Sequence, residues 1–261
     1  MMTDRPVVLL TGASRGIGAA AARRLMARGC NVAIVARSRE GLEAFTTEAA
    51  GADILLSLAG DVSQVSDCRH MVAETIACFG RLDALVNNAG ILEPIARLAD
   101  AETDAWQYNL AVNLMGPFYL AQAAIPHLRP TCGRIVNVSS GAAVKTIEGW
   151  SAYSVAKAGL THLTRLLAAE EPDITTVALR PGVVNTVMQT LIRTKGPDVM
   201  TPAKTAYFRQ LKEENKLLDP AIPAGKIAWL ALDAPPALSG MFLDYDDPRI
   251  GDALQAAGVA G

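Results

Sequence analysis

"LLTGASRGIG", residues 9–18, ends an apolar run and then places three glycines and a serine within seven positions. The preceding "PVVLLT" (6–11) reads as a strand and the stretch 17–28 as a helix, so the glycines fall where one becomes the other. At such a junction successive backbone N–H groups and a helix N-terminus form an anion site, and glycine lets a phosphate approach closely. The spacing Gly12-x-x-x-Gly16-x-Gly18 is wider at the front than the usual dinucleotide fingerprint and lacks the lysine of a P-loop. With a strand before and a helix after, it predicts a dinucleotide site.

The same alternation runs on through the chain. "NVAIVA" (31–36), "DILLSLA" (53–59), "LDALVNN" (82–88), "GRIVNVS" (133–139), "ITTVALR" (174–180) and "GMFLDY" (240–245) are apolar on successive positions, as strands covered on both faces must be. Amphipathic stretches lie between them, among them 64–78, 102–128 and 152–170. The pattern predicts an α/β fold: a Rossmann-type, doubly wound, mostly parallel seven-stranded sheet with helices on both faces, one dinucleotide-binding domain over 1–261.

Composition removes several classes of function. Hydrophobic residues make up 51% of the 261 and the formal charge is -2, which predicts a globular chain with a large core. There is no basic excess for a nucleic acid and no charge run for a membrane surface. Cys30, Cys68, Cys78 and Cys132 are scattered, without metal-ligand spacing, and are expected as small buried hydrophobes. The first ten residues hold too short an apolar stretch for a secretory signal, so a reducing, cytoplasmic setting is the expectation.

The second strand bears on which dinucleotide is bound. An acid at its carboxyl end would hold a ribose 2′-hydroxyl, whereas arginine accommodates a 2′-phosphate. Here "IVARSRE" puts Ala36 at that place, followed by Arg37, Ser38 and Arg39, with Arg15 in the glycine turn directed at the same pocket. One such arginine could belong to a solvated loop; two converging on one pocket favour NADP. Further on, "SAYSVAKAGL" sets Tyr153 and Lys157 four apart, on one helix face, 13 residues after the serine pair of "IVNVSS". A phenol titrates near ~10, and a neighbouring ammonium favours its phenolate. A serine hydroxyl beside it can polarise a carbonyl, and the tyrosine can supply a proton to the forming alkoxide.

Taken together, "TGASRGIG", "GDV" (60–62), "NNAG" (87–90), "AVNL" (111–114), "VSS" (138–140), "YSVAK" (153–157) and "RPGVV" (180–184) resemble a short-chain dehydrogenase/reductase over nearly the whole chain. The resemblance implies a catalytic set of Asn113, Ser140, Tyr153 and Lys157. Tyr153 is then the acid/base, Lys157 also holds the nicotinamide ribose, and Asn113 fixes a water. It implies cofactor contacts from Gly12, Ser14, Arg15, Gly16, Ile17 and Gly18, from Arg37 and Ser38, and from Asp61 and Val62 beside the adenine. Asn88, Ala89 and Gly90 would lie at the adenosine ribose, with Pro181, Gly182, Val184 and Thr186 toward the nicotinamide. NADPH/NADP+ is the implied cofactor, a small-molecule carbonyl compound the substrate, and a homodimer through the helices at 102–128 and 152–170 the assembly.

Within that family, "LLAAEEPDITTVALRPGVVNTVMQ" and "SGMFLDYDD" are similar to the sepiapterin reductase, benzil reductase and fungal carbonyl reductase subgroup. A gapless match puts Leu243 at the place of the acid that anchors a pterin, with Asp244 one step later. That departure favours an apolar pocket for a ketone or diketone, walled by Leu243 and Trp150, over pterin reduction. A non-catalytic NADP-sensing interaction protein is the third reading. Residues 186–219 exceed what a crossover needs. They mix Met188, Leu191, Ile192, Met200, Tyr207, Phe208 and Leu211 with breaks at Gly196, Pro197 and Pro202, which predicts two short helices forming a substrate lid. His70, His127 and His162 have no partner at ligand spacing. Asp244, Asp246 and Asp247 are expected as an exposed acidic tail.

Overall fold

The computed structural model describes residues 5–49 and 54–251. Seven strands, β1 (Val7–Thr11), β2 (Asn31–Ala36), β3 (Leu55–Ala59), β4 (Ala84–Asn87), β5 (Arg134–Val138), β6 (Thr175–Arg180) and β7 (Phe242–Asp244), form one sheet in the order β3-β2-β1-β4-β5-β6-β7. Every pairing is parallel. The helices are α1 (Gly16–Ala27), α2 (Arg39–Glu48), α3 (Val65–Phe79), α4 (Thr103–Leu110), α5 (Gly116–Leu128), α6 (Ser151–Glu170), α7 (Val187–Lys195), α8 (Pro202–Glu213) and α9 (Ala221–Asp233). Among the described residues no helix is long and apolar enough to cross a membrane.

Continuous apolar runs follow from burial on two faces. Successive strand residues point to opposite sides. Val8 and Leu10, with Val32, Ile34 and Val86, therefore join α1 and α9 in one core. Val7 and Leu9, with Ala33, Val35 and Leu85, join α3 and α5 in the other. β1 pairs with β2 on one side and β4 on the other, which makes the β1–β4 boundary the point where the strand order reverses. In such sheets ligands sit at the carboxyl ends beside that reversal.

The long helix expected over 102–128 is interrupted. α4 passes through a π-helical turn, Ala111–Met115, before α5 begins. Pro117 has no N–H to offer the Asn113 carbonyl four residues back, so the regular ladder breaks there. Two of the four cysteines also depart from expectation. Cys30 and Cys68 are buried, whereas Cys78 and Cys132 are exposed. At the end of α3 it is Phe79 that packs on the core, and Cys132 occupies a left-handed turn (φ 46°) after α5. The aspartates near residue 245 do not form a free acidic tail either: Asp244 pairs with Arg180, and Asp247 with Arg249 at 2.7 Å.

The carboxyl ends of β1 and β4 are bonded into one unit. The Thr11 hydroxyl, fully buried, accepts the N–H groups of Asn88 and Ala89 at 3.1 Å each. The Asn88 carboxamide returns two bonds, to the Thr11 and Gly12 carbonyls, at 3.0 and 3.1 Å. Thr11→Val keeps the shape and strips the acceptor from two amides. It is expected to cost about 2–4 kcal/mol, against about 1 kcal/mol or less for Thr11→Ser. Urea unfolding of both variants checks this, and equal losses would show that the hydroxyl is not what matters.

Candidate active site

One cleft of about 1480 Å³ lies over the carboxyl ends of the central strands. Gly12, Ser14, Arg15, Gly16, Ile17, Gly18, Arg37, Ser38, Asp61, Val62, Asn88, Ala89, Gly90, Ser140, Tyr153, Lys157, Pro181, Gly182, Val184 and Thr186 all line it. Asn113 does not reach the wall; it is fully buried behind Gly90. None of the three histidines lines the cleft.

The glycine turn has the shape a phosphate needs. Gly12 and Gly16 hold φ of +68° and +56°, a region that side chains disfavour. A Cβ at Gly18 would come within 2.2 Å of the Gly12 carbonyl, so α1 could not approach so closely with any other residue there. α1 starts with no side-chain cap and no acid in its first turn, which leaves its N-terminal N–H groups and positive dipole end for an anion. These residues fit a dinucleotide's phosphates.

Beyond the turn, Arg37 donates from Nη1 to the Tyr108 hydroxyl at 2.5 Å, and Tyr108 donates to Asp61 Oδ2 at 3.0 Å. Burial alone would push the Asp61 carboxyl up. Hydrogen bonds from Ser63 and Tyr108 and the charge of Arg37 outweigh that and bring it down. Ser38 faces the cleft, but its hydroxyl also accepts the Gly41 N–H at 3.1 Å as the cap of α2. Tyr108 escaped the sequence reading because nothing local distinguishes it. Only the fold carries α4 to the end of β2.

At the other end of the cleft the serine pair divides its labour. The Ser139 hydroxyl is tied to Thr161 Oγ1 at 2.7 Å, whereas the Ser140 hydroxyl accepts the Ala142 N–H at 3.1 Å and lies beside the Tyr153 phenol. Burial pushes that phenol up, with the Ser140 hydroxyl opposing. Lys157 Nζ donates to the Val138 carbonyl at 2.8 Å and lies 5.7 Å from the centre of the Tyr153 ring. Burial is what moves the phenol in this arrangement, and a phenolate is not favoured.

The Asn113 side chain is fully engaged within the protein. Its Oδ1 accepts the Ile91 N–H at 3.2 Å, and its Nδ2 donates to the Ile91 carbonyl at 2.8 Å and to Asn109 Oδ1 at 2.9 Å. Asn109, one turn earlier and fully buried, donates to the Ile91 and Glu93 carbonyls at 3.2 and 2.7 Å. The two asparagines brace the loop after β4 against the π turn. Their i, i+4 spacing in "NLAVN" was the available signal for Asn109.

The substrate end is apolar. Trp150 stacks on Phe208 with ring centroids 5.7 Å apart and meets Tyr153 edge-on at 5.9 Å. Leu92, Ile192 and Met200 pack with them. α7 and α8, joined through a 3-10 turn at Gly196–Asp198, are the two short helices expected over 186–219. At the rim, Lys195 bonds Glu93 at 2.5 Å and the Thr201 N–H donates to Glu148 at 2.8 Å. Leu243 is not a wall. It pairs in register with Leu179 and joins the α1–α9 core; Tyr245 and Asp246 are what the chain's last strand brings to the cleft.

Burial holds the Lys157 ammonium down to about 8 from its ordinary 10.5. The folded value lies below the unfolded one, so the penalty is full below about 8, shrinks as pH rises through that window and vanishes above about 10.5. Lys157→Met removes the penalty. Unfolding free energy at pH 7 is expected to rise by about 1–3 kcal/mol, with no gain near the top of that window, while turnover falls. Denaturant titrations at both ends check this, and a variant less stable than the parent at pH 7 overturns it.

The short chain dehydrogenase family pattern matches residues 6–196. Over 257 residues the chain is 39% identical to benzil reductase ((S)-benzoin forming) of Saccharomyces cerevisiae, covering 94% of this chain and 97% of that protein. The crystal structure of a Saccharomyces cerevisiae short chain dehydrogenase/reductase superposes with a TM-score of 0.89 at 36% identity, covering 93% and 97% of the two chains. That of actinorhodin polyketide ketoreductase with NADPH superposes at 0.83 and 28%, covering 94% and 97%. A glycine turn at the strand reversal, a Ser–Tyr pair and a buried lysine in one cleft accord with those matches: the chain belongs to the short chain dehydrogenase family of oxidoreductases.

Proposed function

We propose that this protein is an NADPH-dependent carbonyl reductase acting on a ketone or diketone. The observation that carries the reading is the Ser140–Tyr153 pair set beneath the Trp150–Phe208 stack, in the same cleft as the glycine turn. The benzil reductase relative supports a diketone.

Bound nicotinamide supplies the hydride. Ser140 and Tyr153 hold the carbonyl oxygen, and the phenol gives up its proton as that oxygen becomes an alkoxide. Burial keeps the phenol protonated at neutral pH, the form that reduction needs. Lys157, fixed on Val138, sets a positive charge under the ring, which eases the proton's departure. A relay water fits the Asn113 main-chain carbonyl, which Pro117 denies an α-helical donor, better than a side chain already engaged. Trp150, Phe208 and the lid helices exclude water around the reacting carbon.

Arg37 and Arg15 support NADPH. Both are exposed and line the cleft, and Tyr108 holds one Arg37 nitrogen while the rest of its fork stays open to a phosphate. Following NADPH absorbance against benzil, other 1,2-diketones, simple ketones and sepiapterin, with NADH in parallel, tests the reading. NADPH is expected to be at least about tenfold more efficient, Arg37→Asp to reverse the order, and Tyr153→Phe to lose about 100-fold or more in kcat with NADPH binding retained. Equal or better efficiency with NADH overturns the cofactor assignment. Sepiapterin outrunning every diketone restores a pterin reductase, and cofactor binding without turnover of any carbonyl restores the sensor.

The expected homodimer is proposed on the same footing. Phe118, Val155 and Leu166 are large apolar side chains left exposed on α5 and α6, and a two-fold axis would bury them against their own copies. Sedimentation at micromolar concentration is expected to show a dimer, and Val155→Asp with Leu166→Asp a monomer. A monomeric parent protein removes the proposal.

A further inference from the structure

At the glycine-turn end of the cleft, an acid and a base line the wall together, Asp61 and Arg37. Arg37 is near enough for its charge to lower the Asp61 carboxyl, yet the two are not directly paired; the Tyr108 phenol stands between them. It accepts the Arg37 Nη1–H at 2.5 Å and donates to Asp61 Oδ2 at 3.0 Å. The other carboxylate oxygen, Oδ1, accepts the Ser63 N–H at 2.9 Å. Neutral donors thus meet both oxygens of the carboxylate. Burial, with the bond to Asp61 and its charge, holds the phenol above its ordinary range, which keeps the shared proton on Tyr108. α4 carries Tyr108 to this place and is pinned on either side of it. Trp106 donates to Ser151 Oγ on α6 at 3.1 Å, and Asn109 to the Ile91 and Glu93 carbonyls at 3.2 and 2.7 Å.

A guanidinium fork pairs a carboxylate as readily as a phosphate, so Asp61 and a cofactor phosphate are rivals for Arg37. The phenol takes one of the five guanidinium N–H groups and leaves the rest. Without its hydroxyl, Asp61 Oδ2 loses its donor, and the nearest replacement is Arg37 itself. The fork then closes on the carboxylate. Arg37 follows the carboxyl end of β2, where Ala36 offers no acid to a ribose 2′-hydroxyl. Building on the NADPH reading above, we infer that Tyr108 is a positioning residue for the cofactor's 2′-phosphate: it holds Arg37 off Asp61 and keeps the fork available to that phosphate. Tyr108 does not itself line the cleft. It acts through Arg37, and the part of the dinucleotide that NADP+ shares with NAD+ does not depend on that action.

NADP+ and NAD+ differ only in that phosphate. Calorimetric titration of each into the protein, with no carbonyl substrate present, reads the ratio of Kd for NAD+ to Kd for NADP+. The parent ratio is expected to be about tenfold or more, and Tyr108→Phe to lower it about fivefold through weaker NADP+ binding. Any general loosening of this end of the cleft acts on both cofactors and cancels. Tyr108 is 37% exposed and phenylalanine keeps the ring, so the variant is expected to fold. Arg37→Ala supplies the second arm. On that background Tyr108→Phe is expected to leave the ratio unchanged, because a residue that acts through Arg37 has nothing left to position. A fall of less than about threefold in Tyr108→Phe, a rise, or a fall of that size or more on the Arg37→Ala background overturns the inference while the NADPH reading stands. A parent protein that binds NAD+ as tightly as NADP+, or more tightly, overturns both.

Discussion

Everything in the cleft hangs on the bonding of two turns at the sheet's reversal point. β1 and β4 are neighbours whose chains leave in opposite directions, one into α1 and the other toward α4. Thr11 and Asn88 tie those departures together with side-chain to main-chain bonds on both sides of the seam. Close approach is what makes the tie possible. A Cβ at Gly12 would lie 2.8 Å from the Ala89 Cα, and one at Gly18 2.5 Å from the Asn88 carboxamide. The glycines thus serve two purposes at once: they open the turn to a phosphate and let the two halves of the sheet's rim touch. The loop so fixed leads through Gly90 and Ile91 to the asparagine brace, and the brace fixes α4 and α5.

The chemistry at the far end is built from groups that the fold would be more stable without. Tyr153 and Lys157 are both buried, one with its ionised form disfavoured and the other with its charge only partly compensated by a carbonyl. Sites that need titratable groups in dry surroundings commonly carry such a cost. Here the surrounding core carries it with apolar side chains, Ile135, Val136, Val177 and Leu179, and with buried polar ones that satisfy each other, Asn137 donating to Thr164 Oγ1 at 3.0 Å.

The sequence disclosed most of this for a physical reason. Two-faced burial forces unbroken apolar runs, so the strands and their parallel pairing were legible, and the glycine spacing located the anion site on them. The main motifs were legible as a set because most sit at strand ends, with Tyr153 and Lys157 on α6 and Asn113 in the π turn, and all but Asn113 reach the cleft wall. What stayed hidden depends on long-range geometry. Tyr108 matters because α4 passes the end of β2, which no local pattern states. Leu243 looked like a pocket wall because its strand was read without its register. Pairing with Leu179 turns it into the core, a matter of one residue's parity. Four-residue spacing puts Lys157 and Tyr153 on one face, yet it says nothing about the Val138 carbonyl that anchors the ammonium 5.7 Å from the ring centre.

α7 and α8, the proposed lid, are attached by two kinds of contact that respond to different conditions. At its rim are exposed polar links, Lys195 to Glu93 and the Thr201 amide to Glu148; beneath it is the stack of Phe208 on Trp150. Dissolved ions screen the rim pair and leave the rings untouched. Salt thus weakens the ion pair at the edge of these helices without altering the ring stack beneath them. Under the proposed function, and where release of product limits the cycle, moderate ionic strength would then speed the overall rate while leaving a hydride step among the buried rings unchanged.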